Sequence, residues 1–158
     1  MTAISMTDDI DRIMDVMASA FDPQFGEAWS RAQVLSGLVM PNAHYHLLAP
    51  TGHTPLPHEP TAGFALLRSV LDEQELLLIA VNPQYRRLGL GAKLLSQALE
   101  NARSRGIAKM FLEMRAGNPA EYLYLAHGFT PTATRPNYYR TASGARLDAI
   151  TYVCLLDN

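Results

Sequence analysis

Cys154 is the lone cysteine among 158 residues, so no disulfide can form within the chain and a reducing compartment is expected. It sits in an apolar C-terminal run and reads as a small buried hydrophobe rather than a reactive thiol. No apolar run reaches the roughly 18 residues that a membrane-crossing helix needs. The opening residues, MTAISMTDD, have neither the basic region nor the apolar core of a signal peptide, so the cytoplasm is the expected location. Dense basic runs are missing too, and a pI near 6.2 argues against nucleic-acid binding. No glycine precedes a lysine, which excludes a P-loop. Basic residues are scarce in the first half: residues 1–83 hold three arginines against ten acids, a charge of −7. Residues 84–158 hold ten Lys/Arg against five acids, a charge of +5. A basic half suits an anionic ligand and an acidic half a cationic one, although an uneven solvated surface explains the same numbers equally well.

What is present is an ordinary globular composition, 48% hydrophobic and 18% charged, with residues 1–158 expected to make one domain. The informative stretch is Glu75–Ala92, ELLLIAVNPQYRRLGLGA. Leu76–Val81 is long enough for a buried strand and too short for a buried helix. Asn82-Pro83 ends it, because proline cannot donate to a ladder. Arg86-Arg87-Leu88-Gly89-Leu90-Gly91-Ala92 then leads directly into an amphipathic helix. Such a junction suits an anion. The first helical turn has unpaired N–H groups and a partial positive charge, and glycine admits a phosphate close to the backbone. A dinucleotide fingerprint would need a glycine where Leu94 stands. The pattern that remains, Arg86-x-x-Gly89-x-Gly91-Ala92, resembles the Arg/Gln-x-x-Gly-x-Gly/Ala signature of the GNAT N-acetyltransferase superfamily, whose loop holds the pyrophosphate of acetyl-CoA. The resemblance implies an α/β (α+β) fold with a mixed central sheet of about seven strands and helices on both faces.

Taken in order, Ala3–Met6 is expected to be a short first strand, with Thr7 capping a helix whose apolar face is Ile10, Ile13, Met14, Met17 and Ala18. A second helix is expected from Trp29-Ser30 to about Val39, with Ser30 as cap. In many acetyltransferases this helix and the loop before it wall the acceptor site, which makes Phe25 and Trp29 candidates to line it; core packing is the competing reading. His44–Leu48 reads as a strand, and its two histidines would share a face, but no third metal ligand stands at local spacing. Pro50–Thr61 is expected to be an exposed connection, and Ala62–Leu71 and Gln74–Val81 a hairpin about Asp72-Glu73. Leu94, Leu95, Ala98, Leu99 and Ala102 mark the buried face of the helix after the glycine loop. Met110–Met114 is the next strand, Asn118 and Pro119 open a short helix running to His127, and Phe129 begins another strand. Arg135–Arg146 is expected to be a long polar loop before a last strand over Ala149–Leu156.

Glu113 interrupts an apolar strand next to the central one, so it must lie on a wet face, be paired with Arg115 or Arg87, or be functional. Acetyl transfer to an amine needs a group that takes a proton from the incoming ammonium, directly or through a water. A phenol can protonate the departing thiolate. Tyr124, four residues before Gly128-Phe129, is the candidate and Tyr122 its rival. A backbone N–H at Val81, where two parallel strands must splay apart, is the candidate oxyanion donor.

The segments ELLLIAVNPQYRRLGLG, FLEMRAGN, YLAHGF, RPNYYRT and LDAI follow the order and spacing of the bacterial ribosomal-protein-alanine N-acetyltransferases, to which residues from about Glu75 to Leu156 are similar. The resemblance implies direct transfer from acetyl-CoA to a protein amino terminus, that of a small-subunit ribosomal protein, with Glu113 as general base and Tyr124 as general acid. It implies acetyl-CoA contacts from Ile79, Ala80, Val81, Arg87, Leu88, Gly89, Leu90, Gly91 and Ala92, with Asn118 also touching the cofactor and Arg86 opening the loop. It places Asn137-Tyr138-Tyr139 at the border of the peptide site. No metal, nucleic-acid or membrane partner is expected. The alternatives are a small-molecule amine as acceptor, or an acyl-CoA-binding sensor without catalysis.

Overall fold

A computed structural model describes residues 6–156. Four helices, α1 (Met6–Ala20), α2 (Arg31–Leu38), α3 (Leu90–Ser104) and α4 (Glu121–Ala126), surround six strands. The strands are β1 (Ala43–Leu48), β2 (Gly63–Val70), β3 (Glu73–Val81), β4 (Lys109–Arg115), β5 (Thr130–Arg140) and β6 (Arg146–Leu155). They form one sheet in the order β1-β2-β3-β4-β6-β5, antiparallel throughout except for β3 beside β4. The count is six rather than seven. Residues 3–5 of the expected first strand lie outside the described residues, and Met6 is already helical. Thr7 is therefore inside α1 rather than its cap.

Helices cover both faces, as expected. Alternate residues of β2 divide between two cores, as a period of two requires. Phe64 and Leu66 pack with Ile10, Ile13, Val16 and Met17 of α1 and Val34 and Leu38 of α2. Ala65 and Leu67 pack with Leu94, Leu95, Ala98, Leu99 and Ala102 of α3, the face its periodicity marked. On α1 the stripe is offset slightly from the expected one: Val16 is buried, while Ala18 is exposed. Leu94 and Leu95 are fully buried, and truncating either to alanine would cost about 2–5 kcal/mol. Gly63 lets β2, β3 and α3 approach: a Cβ there would meet Ala80 O at 2.8 Å and Leu94 Cδ1 at 2.9 Å. Ser30 caps α2 in a full capping box with Gln33. The proline-rich connection 50–61 is anchored by Arg12, which donates to Glu59 O, Thr61 Oγ1, Leu56 O and Pro57 O.

Two further expectations fail. Arg135–Arg140 is strand rather than loop: β5 pairs with β6 to Arg140↔Arg146, with an irregularity between Arg135 and Tyr139. Almost every β5 residue is exposed, so the strand carries no apolar alternation, and Asn137 at φ 55 marks the bulge near Pro136. The short helix starts at Glu121, not Asn118; Asn118 Oδ1 instead accepts from Ala120 N at 2.9 Å in the turn before it.

Candidate active site

The sheet opens at its centre. β3 and β4 are paired only at Glu73↔Lys109, Gln74↔Met110 and Glu75↔Phe111, and beyond these no pairing joins them. A bulge contributes, because Leu66 faces Leu78 while Leu67 faces Leu76, leaving Leu77 as an extra residue in β3. The two strands thus diverge around a cleft of about 590 Å³, whose walls are Leu76–Val81 of β3 and Leu112–Arg115 of β4. A strand edge without a partner presents main-chain donors and acceptors, so this wall can recognise an extended polar chain through its backbone.

One end of the cleft is the glycine junction. Arg87 (φ 68) and Gly89 (φ 73) are both left-handed, and α3 begins at Leu90 with no side-chain cap. An arginine in that region costs about 1–2 kcal/mol, which suits a turn held for a ligand. The first-turn N–H groups and the helix dipole there make an anion seat. Among the residues expected to hold acetyl-CoA, Ile79, Ala80, Val81, Arg86, Gly91 and Asn118 line the cleft. Arg87, Leu88, Gly89, Leu90 and Ala92 lie outside that lining. The first three form the exposed turn, and Leu90 is buried in the core. Arg86 also donates to Ala20 O at 2.9 Å, tying the end of α1 to this junction.

The other end is built from side chains. Glu113 faces the cleft from β4, with its side chain 22% exposed. Its partner is Arg135 of β5, at 3.1 Å, and neither Arg115 nor Arg87. Arg115 is committed elsewhere: its guanidinium stacks 3.5 Å from the centre of the Phe25 ring and its Nε lies 3.4 Å from Glu27. That pairing draws the 21–30 loop onto β4, and Ala142 N, donating to Gln24 O at 2.9 Å, ties the same loop to the β5–β6 turn. Of these two candidates Phe25 lines the cleft, whereas for Trp29 the competing reading, core packing, holds. Its ring packs against Gly37 of α2, beside the α1 core.

Tyr124 is buried and lines the cleft, edge-on to Phe129. Burial first, then the Glu27 charge, raises its pKa well above that of a free phenol, so it holds its proton. Tyr122 points away and is 78% exposed. The Tyr139 hydroxyl is pushed up to about 12 by burial, then chiefly by the charges of Glu113, Tyr138 and Glu27. Cys154 is buried under α4, with its thiol donating to His127 O at 3.6 Å, and burial raises its pKa. His44 accepts from Arg105 at 2.8 Å, and burial followed by that positive charge lowers its pKa. Among the described residues no group of three or more His, Cys, Asp or Glu gathers as a metal cluster, and no helix is long and apolar enough to cross a membrane.

Glu27 and Arg135 escaped sequence reasoning, and Arg115 enters it only as a partner for Glu113. Glu27 and Arg115 stand 88 positions apart, and no local pattern announces their meeting. For Arg135 a signal did exist: it opens the RPNYYRT segment three positions before Tyr138, on the stretch expected to be a loop.

Known proteins repeat this architecture. The chain is 47% identical over 90 residues to the [ribosomal protein bS18]-alanine N-acetyltransferase of Escherichia coli (strain K12); the match covers 56% of this chain and 60% of that relative's length. The crystal structure of the ribosomal-protein-S18-alanine N-acetyltransferase from Escherichia coli superposes with a TM-score of 0.80 at 31% identity, covering 99% of this chain and 93% of that one. The Salmonella typhimurium protein yncA, solved with its cofactor acetyl-CoA, superposes with a TM-score of 0.56 at 30% identity, over 63% of this chain and 60% of that one. The model of the acetyltransferase (GNAT) family matches residues 11–129. With that match spanning most of the chain, over a sheet opened between β3 and β4, the protein belongs to the GNAT acetyltransferase family.

Proposed function

We propose that the protein is an Nα-acetyltransferase that moves the acetyl group of acetyl-CoA to the amino terminus of a protein, of the ribosomal-protein-alanine kind. The observation that carries this reading is the cleft itself, which joins an uncapped helix start at one end to a carboxylate and a protonated phenol at the other. The residues fit the cofactor: the unpaired edge of β3 suits its amide-bearing arm, and the glycine junction suits its pyrophosphate. Acetyl-CoA supplies the acetyl group as a thioester. Every remaining task falls to this chain.

Glu113 takes a proton from the acceptor's ammonium, directly or through one water, and so frees the nitrogen lone pair for attack on the carbonyl carbon. A free α-amine has a pKa near 8, so a carboxylate is a sufficient base near neutrality. A β3 backbone N–H, at Val81, stabilises the negative charge that develops on the carbonyl oxygen. As the carbon–sulfur bond breaks, Tyr124 donates its proton to the departing sulfur, and the second proton lost by the new amide nitrogen restores the phenol, while Glu113 returns its own proton to solvent. Transfer is direct: Cys154 is buried and its thiol faces His127.

The test is acetyl transfer from acetyl-CoA to a peptide panel, read by mass spectrometry. The panel holds an Ala-Arg-initiated peptide, its amino-blocked form and a lysine-only control. Transfer to the free amino terminus alone supports the reading. Transfer to a small amine and to none of the peptides would overturn the protein-acceptor part, and the absence of transfer to any amine would overturn catalysis.

A further inference from the structure

Glu113 and Arg135 belong to strands that are not neighbours. β6 runs between them, with Glu113 opposite Thr151 and Thr151 opposite Ala133. Arg135 therefore reaches across a whole strand to bring its Nε within 3.1 Å of Glu113 Oε2. It does so from the rim, since its own side chain is 60% exposed while that of Glu113 is 22% exposed. The guanidinium has a second seat nearby, because its Cζ lies 4.9 Å from the centre of the Tyr138 ring. The other charged and titratable groups around the carboxylate are Tyr139 of β5, Glu27 of the 21–30 loop, Arg115 on its own strand and Tyr124 of α4. Arg115 is committed to Glu27 and Phe25, so Arg135 is the cation that answers Glu113.

We propose that Arg135 is a displaceable stand-in for the acceptor's ammonium, holding the Glu113 carboxylate until the substrate amine takes its place and then resting on the Tyr138 ring. This inference rests on the reading of Glu113 as the group that receives the amine. The ammonium must come within hydrogen-bonding distance of the carboxylate, and two cations at that distance repel. An ion pair this exposed is weak, so a substrate can open it. Arg135 is on this account a specificity-determining residue: each acceptor must compete with an internal cation, which discriminates against amines that are uncharged or poorly positioned.

The experiment uses the whole chain with acetyl-CoA and an alanine-initiated peptide, comparing wild type with Arg135→Gln and Arg135→Lys. Arg135→Gln is expected to lower the peptide KM by about two- to fivefold, the range an exposed pair can supply, and Arg135→Lys to restore a value near wild type. Loss of a merely structural arginine would raise KM or lower kcat. An unchanged or raised KM in Arg135→Gln overturns the proposal. A second measurement does not depend on catalysis: the 15Nε–1H resonance of Arg135, followed while L-alaninamide is titrated into the protein with CoA present. The resonance is expected to move saturably as the ion pair with Glu113 opens; a resonance that stays fixed at the highest concentration overturns the proposal. Should the wild type acetylate no peptide, the protein-acceptor reading falls while the titration still decides the role of Arg135.

Discussion

At one end of the cleft the chain runs continuously from β3 through the glycine junction into α3, and it presents backbone to the cleft. At the other end Glu27, Glu113, Tyr124 and Arg135 arrive from four separate segments and offer side chains. The first end is a local motif whose proposed contacts are made by backbone, so it should tolerate side-chain changes that leave the main-chain path alone and do not crowd the helix start. The second is a tertiary assembly in which each group depends on another: Arg115 on Phe25 and Glu27, Arg135 on Glu113. A donor common to a whole family can be held by backbone, whereas an acceptor that differs between members needs exchangeable side chains.

This contrast can be broken most decisively at Glu113. Glu113→Gln keeps the shape and removes the proposed base, so kcat/KM should fall about a hundredfold or more. The loss should be greatest at low pH, where the acceptor amine is protonated, and the acetyl-CoA dissociation constant should be unaltered. A pH–rate profile parallel to wild type would remove Glu113 as base. Next, Tyr124→Phe should lower kcat about ten- to a hundredfold with acetyl-CoA binding retained, while the exposed Tyr122→Phe should remain within about twofold of wild type.

The donor end is sharpened by Gly91→Val. A Cβ at Gly91 meets Leu123 and Val81 only at 3.6 and 3.9 Å, so the fold should persist. The branched side chain nevertheless crowds the helix start, and acetyl-CoA affinity should fall on the order of tenfold, measured by calorimetry. Arg115→Met preserves length but releases Phe25 and Glu27; acceptor KM should rise a few-fold, about what one cation–π contact and one ion pair contribute, with donor affinity unchanged. A change in donor affinity would show that the two ends are coupled.

The smallest effect lies far from the cleft. The Tyr45 hydroxyl donates to Asp9, and burial first, then that hydrogen bond, pushes its pKa from 10.0 up to about 12. The folded state thus favours the protonated phenol. Its contribution is whole below pH 10 and is lost as the pH rises towards 12, so the melting temperature should fall across that window and Tyr45→Phe should flatten part of the fall.

What the sequence made legible follows the same division. Leu76–Val81, the Asn82-Pro83 break and the two glycines are short-range signals, and they located the strand, the turn and the α3 face. Glu113 stood out because a carboxylate in an apolar strand needs a reason. Choosing Tyr124 over Tyr122 required knowing which face of a six-residue helix turns inward. The strand beginning at Phe129 is expected from the sequence, but its second half, from Arg135 to Arg140, reads as loop because exposure on both faces erases alternation, and with it goes the position of Arg135. Sequence leaves Trp29 open between core and cleft, because an aromatic of that size satisfies both patterns; its packing against Gly37, on the helix it precedes, settles it as core.

The unpaired edge of β3 has a consequence for how this protein responds to genetic variation. Along Leu76–Val81 the expected recognition is by amide groups that every residue type carries, so a library of side-chain replacements would report this wall through fold stability, Leu76 and Ala80 being buried in the two cores, and not through cofactor binding. Such a library would direct attention to the acceptor end. Only changes that the main chain itself feels, such as proline or an amide-to-ester exchange at Val81, would reveal the other half of the site, and a map of tolerated substitutions alone would report an enzyme with half its binding surface missing.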